Sequence, residues 1–218
     1  MVHSAKERRV LVICAHSDDQ AIGAGGYIAK LTREGAQVRT IIASFGEQSH
    51  PHLKEKEVRT MRVLESKRAD RILGGSGVMF LGLREGKFEK ECASRGLLPK
   101  LVEHVKRFNP DLILTHSNDD PHPDHRAVYR LAVAMCEGAS PSCEMWTFDI
   151  WNLWNLKRRT PRKVIDITDT FRRKLDAIVA FKSQKVAIIT LIVPVYARAF
   201  FWGLRRHVRY AEGYYRVR

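Results

Sequence analysis

The stretch VLVICAHSDD at residues 10–19 decides the fold, because six apolar residues (10–15) lead directly into a polar cluster (16–19). An uninterrupted apolar run of this length is typical of a parallel β-strand that helices cover on both faces. Polar side chains at the carboxyl end of such a strand lie where open α/β sheets bind their ligands. The stretch therefore predicts an α/β fold with a functional site at the end of its first strand.

Apolar runs and helical patterns alternate along the rest of the chain. We predict strands at 38–44, 78–81, 111–115 and 164–167, and helices at 21–34, 54–73, 96–108, 125–136 and from an N-cap at Asp169 to about Lys182. Such alternation indicates a mostly parallel sheet with helices on both faces. We find no linker or repeat, so residues 1–218 are expected to form a single domain. The irregular residues 138–163 are expected to form a variable rim of the site.

A second polar cluster, HPDH at 122–125, follows the predicted strand at 111–115 and a polar loop. Because the carboxyl ends of parallel strands meet at one edge of a sheet, the clusters at 16–19 and 122–125 are expected to lie close together. Helix capping by the aspartates is the alternative. Two ligand-rich clusters after two separate strands favour a metal site over capping.

The spacing within each cluster suits a metal ion. His16 and Asp19 are three residues apart across a tight turn, so both side chains can point into one crevice. His122 and His125 can project from one face at the start of a helix. His16, Asp19 and one of the two later histidines would make the three protein ligands of a catalytic zinc site. Asp18 and the remaining histidine would then be free for acid–base chemistry.

Three glycines, Gly23, Gly25 and Gly26, follow the first cluster. They do not form a dinucleotide-binding fingerprint, which places its glycines in the strand-to-helix turn itself. Here the polar cluster occupies that turn, and its carboxylates would repel a pyrophosphate. The glycines are expected instead to allow close packing between a helix and a strand.

The net charge of +14 is concentrated at the C-terminal end. Residues 157–218 hold 16 Lys and Arg against 4 Asp and Glu, whereas residues 1–156 hold 22 against 20. A basic segment of this kind indicates either an anionic partner, such as a phosphorylated substrate, a membrane surface or nucleic acid, or a solvated face. No nucleic-acid recognition motif accompanies it, so a dedicated nucleic-acid role is not expected.

Residues 186–204 are mostly apolar, with Arg198 as their only charge, and form part of this basic segment. The uncharged run 186–197 is short for a membrane span, so the stretch is expected to be a buried helix or an interfacial one with basic flanks. The scattered cysteines and the polar N-terminal residues predict a cytoplasmic protein, with peripheral membrane association as an alternative location.

The two clusters resemble the motifs of the PIG-L/LmbE family of zinc-dependent N-acetylglucosaminyl deacetylases. The first motif of that family, A-H-P-D-D-E, corresponds to AHSDDQ at 15–20, and the second, H-x-D-H, corresponds to HPDH at 122–125. Weaker similarities lie around Arg62, at 80–86, at 183–184 and at 210–212. The resemblance implies a Rossmann-like fold and the removal of an N-acetyl group from an amino-sugar conjugate.

The resemblance also implies a role for individual residues. His16, Asp19 and His125 would hold the zinc ion, Asp18 would be the general base, and His122 would act as an acid or oxyanion stabiliser. The implied sugar contacts are Arg62 and Glu85, and the implied partners that orient the ligands are Gln20 and Asp124.

The chain departs from the family motif in three places. Gln20 replaces the usual Glu, Ser17 replaces the usual Pro, and Phe181 stands where many members have His. The loss of a negative charge at Gln20 would weaken a zinc site without abolishing it. Two alternatives remain open: a zinc amidase that cleaves a different amide conjugate, and a catalytically weak module that binds anionic surfaces.

Overall fold

The computed structural model describes residues 7–47, 54–139, 143–152 and 162–218. Strands and helices alternate within these ranges. They are β1 (Arg9–Cys14), α1 (Asp19–Arg33), β2 (Gln37–Ile42), α2 (Glu55–Leu73), β3 (Val78–Phe80), α3 (Phe88–Ser94), α4 (Leu97–Phe108), β4 (Leu112–His116), α5 (Pro123–Ala139), β5 (Glu144–Phe148), β6 (Arg162–Asp166), α6 (Phe171–Val179), α7 (Lys185–Leu204) and β7 (Ala211–Arg216), with a 3-10 turn at Lys182–Gln184.

The strands form one seven-stranded sheet in the order β3-β2-β1-β4-β5-β7-β6. The strands from β3 to β5 pair in parallel, and β7 runs antiparallel to both β5 and β6. The predicted Rossmann-like, mostly parallel α/β fold is confirmed. The strand order reverses between β1 and β4, which pair from Val10↔Leu112 to Ile13↔Thr115. The loops that follow these two strands therefore leave the sheet in opposite directions and open a crevice.

The central strand β1 explains why helices cover both faces. Val10, Val12 and Cys14 pack into one apolar cluster with residues of α1, α6 and α7. Leu11 and Ile13 point to the other face and pack with α3, α4 and α5. All five side chains are buried, as the continuous apolar run predicts.

The glycines of α1 allow the close packing that the sequence predicts. A Cβ atom at Gly23 would overlap the ring of Phe148 in β5, and one at Gly26 would overlap Ile167, which follows β6. These contacts bring α1 against the sheet, so the turn before it, with the first polar cluster, lies directly over the end of β1.

Three elements were absent from the sequence prediction. Strand β5 lies within the segment that looked irregular, and α3 is short and highly charged. Strand β7 carries Glu212 and Gly213 near its start, which interrupts its apolar pattern. The tryptophan Trp154 and the basic cluster 157–159 of the predicted rim lie outside the described residues.

The predicted N-cap at Asp169 is wrong. Helix α6 begins at Phe171, and the exposed Asp169 carboxylate lies 3.4 Å from Arg33 instead. Thr170 occupies the N-cap position, and its hydroxyl donates a 2.8 Å hydrogen bond to the carbonyl of Gly26. A tertiary contact with α1 therefore sets the start of this helix.

The predicted apolar helix at 186–204 is present as α7. It is neither fully buried nor fully exposed, because Leu191, Val195 and Ala199 join the core while the opposite side faces solvent. Within the described part of the chain, none of the helices has the length and apolar character needed to cross a membrane.

Candidate active site

A cavity of about 430 Å³ opens at the carboxyl ends of β1 and β4. Eight of the nine site residues predicted from the sequence line it: His16, Asp18, Asp19, Arg62, Glu85, His122, Asp124 and His125. The elements after β5 add Ile150 and Trp151, which fall within the predicted rim 138–163, together with Gln184 and Leu191. The fold thus gathers residues more than a hundred positions apart into one crevice at the switch point of the sheet.

The first candidate metal group consists of His16, Asp19 and His125, whose ligand atoms all lie within 4.8 Å of one another. Asp19 joins the other two, since Oδ2 lies 3.5 Å from His16 Nδ1 and Oδ1 lies 3.5 Å from His125 Nε2. Asp19 also accepts a 2.7 Å hydrogen bond from the backbone N–H of His16. The turn between β1 and α1 is therefore closed by the same carboxylate that contacts both imidazoles.

A second group, which shares His16 with the first, consists of His16, His122 and Asp124. Asp124 Oδ2 lies 3.5 Å from His16 Nε2, while Oδ1 accepts a 2.9 Å hydrogen bond from Gly86 N–H. The backbone N–H of Asp124 donates to His122 Nδ1 at 3.2 Å. Since Nδ1 accepts, a neutral His122 carries its proton on Nε2.

Two buried residues of the site, His116 and Asp120, were missed by sequence analysis. His116 Nε2 lies 3.1 Å from Asp19 Oδ2 and accepts a 3.0 Å hydrogen bond from Ala15 N–H. Asp120 Oδ1 lies 3.0 Å from His125 Nδ1. A carboxylate at this position favours a proton on Nδ1 and leaves Nε2 free for a metal ion. The signal in the sequence was the polar run 115–120, which begins within the last two residues of β4.

The buried carboxylates and imidazoles of the site shift one another's pKa values. Burial alone lowers the pKa of His16, but its contacts with Asp124 and Asp19 outweigh burial and raise the pKa to about 10. Burial alone would raise the pKa of Asp19, but His125 and His116 hold it well below its usual value. Burial and the neighbouring His125 lower the pKa of His116 to about 4. A metal ion at His16 would compete with a proton for the imidazole.

The Asp18 carboxylate contacts Arg62, whereas the Asp19 carboxylate contacts the histidines. Asp18 occupies the N-cap position of α1 but makes no capping hydrogen bond with its side chain. Its Oδ1 lies 3.5 Å from Nη2 of Arg62, a buried residue of α2. Among the described residues, neither Nε nor Nη1 of Arg62 has a hydrogen-bond partner. Across the cavity, burial raises the pKa of Glu85.

Gln20 makes no side-chain hydrogen bond with a candidate metal ligand among the described residues. Its side chain is buried outside the cavity lining, and neither of its amide atoms has a hydrogen-bond partner within the described part of the chain. Asp124, the other residue expected to orient the ligands, does contact His16.

Comparison with known proteins agrees with this architecture. A family model described as "PIG-L: GlcNAc-PI de-N-acetylase" matches residues 11–136. The chain is 28% identical over 200 residues to a Bacillus cereus protein named "Probable N-acetyl-alpha-D-glucosaminyl L-malate deacetylase 2", covering 84% of this chain and 86% of that one. It is also 28% identical over 198 residues to 4-oxalmesaconate hydratase of Pseudomonas putida, with 82% and 75% covered.

Among solved structures, the chain is similar to N,N'-diacetylchitobiose deacetylase from Pyrococcus horikoshii. The TM-score is 0.83 at 25% identity, and the match covers 97% of this chain and 84% of that one.

Proposed function

The chain belongs to the PIG-L family, and we propose that it is a zinc-dependent hydrolase that removes the N-acetyl group from a GlcNAc-containing conjugate. One observation carries the proposal. A group of two imidazoles and a carboxylate, His16, Asp19 and His125, shares a cavity with a second carboxylate, Asp18, that is held by Arg62 instead. Metal-assisted amide hydrolysis needs this combination of metal ligands and a separate base.

The donor set fits zinc. Two nitrogen ligands and one oxygen ligand make a common catalytic zinc site, which keeps a further position open. The Asp120 carboxylate beside His125 Nδ1 supports the tautomer that such a site needs. When bound, zinc would supply a Lewis acid that polarises the amide and lowers the pKa of water to about 7.

The remaining steps fall to the side chains of the chain itself. Asp18 would take a proton from the attacking water and return it to the leaving nitrogen, with its carboxylate oriented by Arg62. His122 is better suited to donate a hydrogen bond than to give up a proton, because burial and the neighbouring His16 lower its pKa. Its Nε2–H would stabilise the oxyanion that develops on the amide oxygen.

The substrate is expected to be an amino-sugar conjugate that is phosphorylated or lipid-linked. Arg62 and Glu85 line the cavity and offer polar groups to sugar hydroxyls. The basic charge of residues 157–218 supports an anionic conjugate. We also propose that the protein acts in the cytoplasm, at the surface of a membrane.

The test is zinc content per chain by elemental analysis, followed by product analysis. The wild-type protein should hold about one zinc ion per chain, Asp19→Ala should lose it, and the matched exposed variant Asp169→Ala should keep it. The loaded protein should release acetate and a free amine from N-acetylated amino sugars.

Two results would redirect the proposal. Cleavage of other amide conjugates without any acetyl-sugar turnover would identify an amidase. If neither the wild-type protein nor Asp169→Ala took up zinc after reconstitution, the metal site would be refuted, and binding of anionic surfaces would become the favoured function.

A further inference from the structure

Helix α7 has two opposite apolar faces. Leu191, Val195, Ala199 and Trp202 form the face that packs into the protein. On the other side, five large apolar residues recur at intervals of three or four, and we call them the outer stripe: Ile189, Val193, Tyr196, Phe200 and Leu204. Such spacing places them in one line along the helix. Their exposed fractions run from 42% for Tyr196 to 70% for Val193.

The outer stripe needs an apolar partner. Helices that are apolar on all sides are normally buried in a protein or in lipid, and contiguous exposed apolar patches mark interaction sites. The outer stripe contains more than half of the large exposed apolar side chains of the described residues. A solvated surface helix would carry polar residues at these positions.

The charges around α7 favour an anionic lipid surface over a second copy of the chain. Residues 177–211 contain no acidic residue, while Lys182 precedes the helix and Arg205, Arg206 and Arg209 follow it. A two-fold contact between two outer stripes would bring like charges together without any carboxylate from this segment to pair with them. Lipid headgroups with negative charge would instead complement the basic residues at both ends.

The position of α7 relates this surface to the cavity. Leu191 on the helix and Gln184 directly before it line the cavity, and Arg198 donates a 3.0 Å hydrogen bond to the carbonyl of Ile150, another lining residue. Next to Ile150, Trp151 also lines the cavity and is about half exposed. The helix that carries the outer stripe therefore also forms part of the wall of the candidate active site.

We propose that the outer stripe docks the protein on an anionic lipid bilayer, with α7 lying in the interface and the cavity held at the membrane surface. The conclusion that docking serves a lipid-linked substrate rests on the proposed deacetylase function. The docking itself does not, because it involves neither the metal ligands nor Asp18.

The test is co-sedimentation of the full chain with vesicles of phosphatidylcholine, with and without phosphatidylglycerol. The wild-type protein should bind the anionic vesicles, more tightly at low salt than at high salt. Val193→Gln/Phe200→Gln should weaken binding at least about tenfold, because apolar area would no longer be buried in the interface. Leu64→Gln, a matched change at an exposed residue of α2, should bind like the wild type.

A second variant tests the charges, and light scattering tests self-association. Lys182→Gln/Arg206→Gln should reduce the preference for anionic vesicles while the outer stripe is intact. Absence of wild-type binding at low salt would overturn the proposal. A wild-type dimer that Val193→Gln/Phe200→Gln converts to a monomer, without vesicle binding by either protein, would assign the outer stripe to a second copy instead. Vesicle binding without turnover of any acetylated sugar would support docking and refute only the proposed function.

Discussion

A buried ion pair joins Lys174 of α6 to Glu212 of β7, and both side chains form hydrogen bonds with backbone groups of α1. The Lys174 Nζ donates to Glu212 Oε1 at 2.6 Å and to the carbonyl of Ile22 at 2.8 Å. Glu212 also accepts from the backbone N–H groups of Gly26 at 3.0 Å and Tyr27 at 2.8 Å. An α-helix would normally join Ile22 C=O to Gly26 N–H. We therefore expect this pair to control the position of α1, and with it the turn that carries the candidate metal ligands.

The magnitude follows from the separation and the burial. At 2.6 Å and an effective dielectric constant of about 20, the gross attraction is about 6 kcal/mol. Desolvation of each buried charge costs several kcal/mol, so the intact pair contributes little net stability. Loss of one partner is different, because the other charge then stays buried without compensation. Glu212→Gln should lower the free energy of unfolding by about 3–5 kcal/mol.

Replacement of Lys174 should lower the free energy of unfolding by less than replacement of Glu212. In Lys174→Met, the Glu212 carboxylate would keep three donors, since the Tyr214 hydroxyl also donates to it at 2.6 Å. We expect a loss of about 2–3 kcal/mol for this variant. The double variant removes both charges, so its cost should fall short of the sum of the single costs by about 2 kcal/mol.

Urea denaturation of the wild type, both single variants and the double variant measures this coupling. If the two single costs add to within about 0.5 kcal/mol, the ion pair is not the link between α6, β7 and α1, and the reasoning is refuted. If Glu212→Gln fails to fold, recovery of a folded protein in the double variant still supports the coupling, and failure of the double variant contradicts it.

Three further changes probe other parts of the structure. Asp18→Ala should lower kcat by about 10²- to 10⁴-fold while zinc content stays at the wild-type level, and wild-type turnover would remove Asp18 from the role of base. Burial raises the pKa of Asp70 from 3.8 to about 6, so its ionised form is disfavoured in the folded protein. Asp70 therefore stabilises the folded protein while it is neutral, and this contribution is lost as the pH rises from about 4 through 6. The free energy of unfolding of Asp70→Asn, relative to that of the wild type, should rise by about 2 kcal/mol between pH 4 and pH 8, allowing for partial exposure. Parallel stability curves in urea titrations at the two pH values would contradict this. Gly23→Ala should cost about 2–3 kcal/mol because its Cβ would overlap the Phe148 ring, and a thermal midpoint equal to that of the wild type would contradict the packing argument.

Strands β1 and β4 could be predicted from the sequence because apolar residues run without interruption at 10–15 and at 112–114. Strand β7 could not be predicted, because Glu212 is an unfavourable residue for a strand unless Lys174 and the backbone of α1 compensate its charge. Strand β5 lies among tryptophans and polar residues, and its position depends on pairing with β4 and β7. Local pattern does not encode these tertiary contacts.

Some residues of the candidate site could also be predicted from the sequence, and others could not. His16 and His125 belong to compact motifs whose spacing indicates metal binding, so they could be recognised without a structure. His116 and Asp120 lie outside both motifs. The end of β4 brings His116 to Asp19, and the loop after β4 brings Asp120 to His125.

The chemistry and the choice of substrate are encoded in different parts of this chain. The family match, residues 11–136, contains every candidate metal ligand. The rim of the cavity is built largely from later residues, including Trp151, Gln184 and Leu191, and most of the net positive charge also lies there. Relatives of equal similarity are named a deacetylase and a hydratase, so the shared scaffold does not fix the reaction by itself. We therefore expect the rim and α7 to determine the substrate specificity of this chain. Substitution of rim residues should change the preferred conjugate and leave metal binding unchanged.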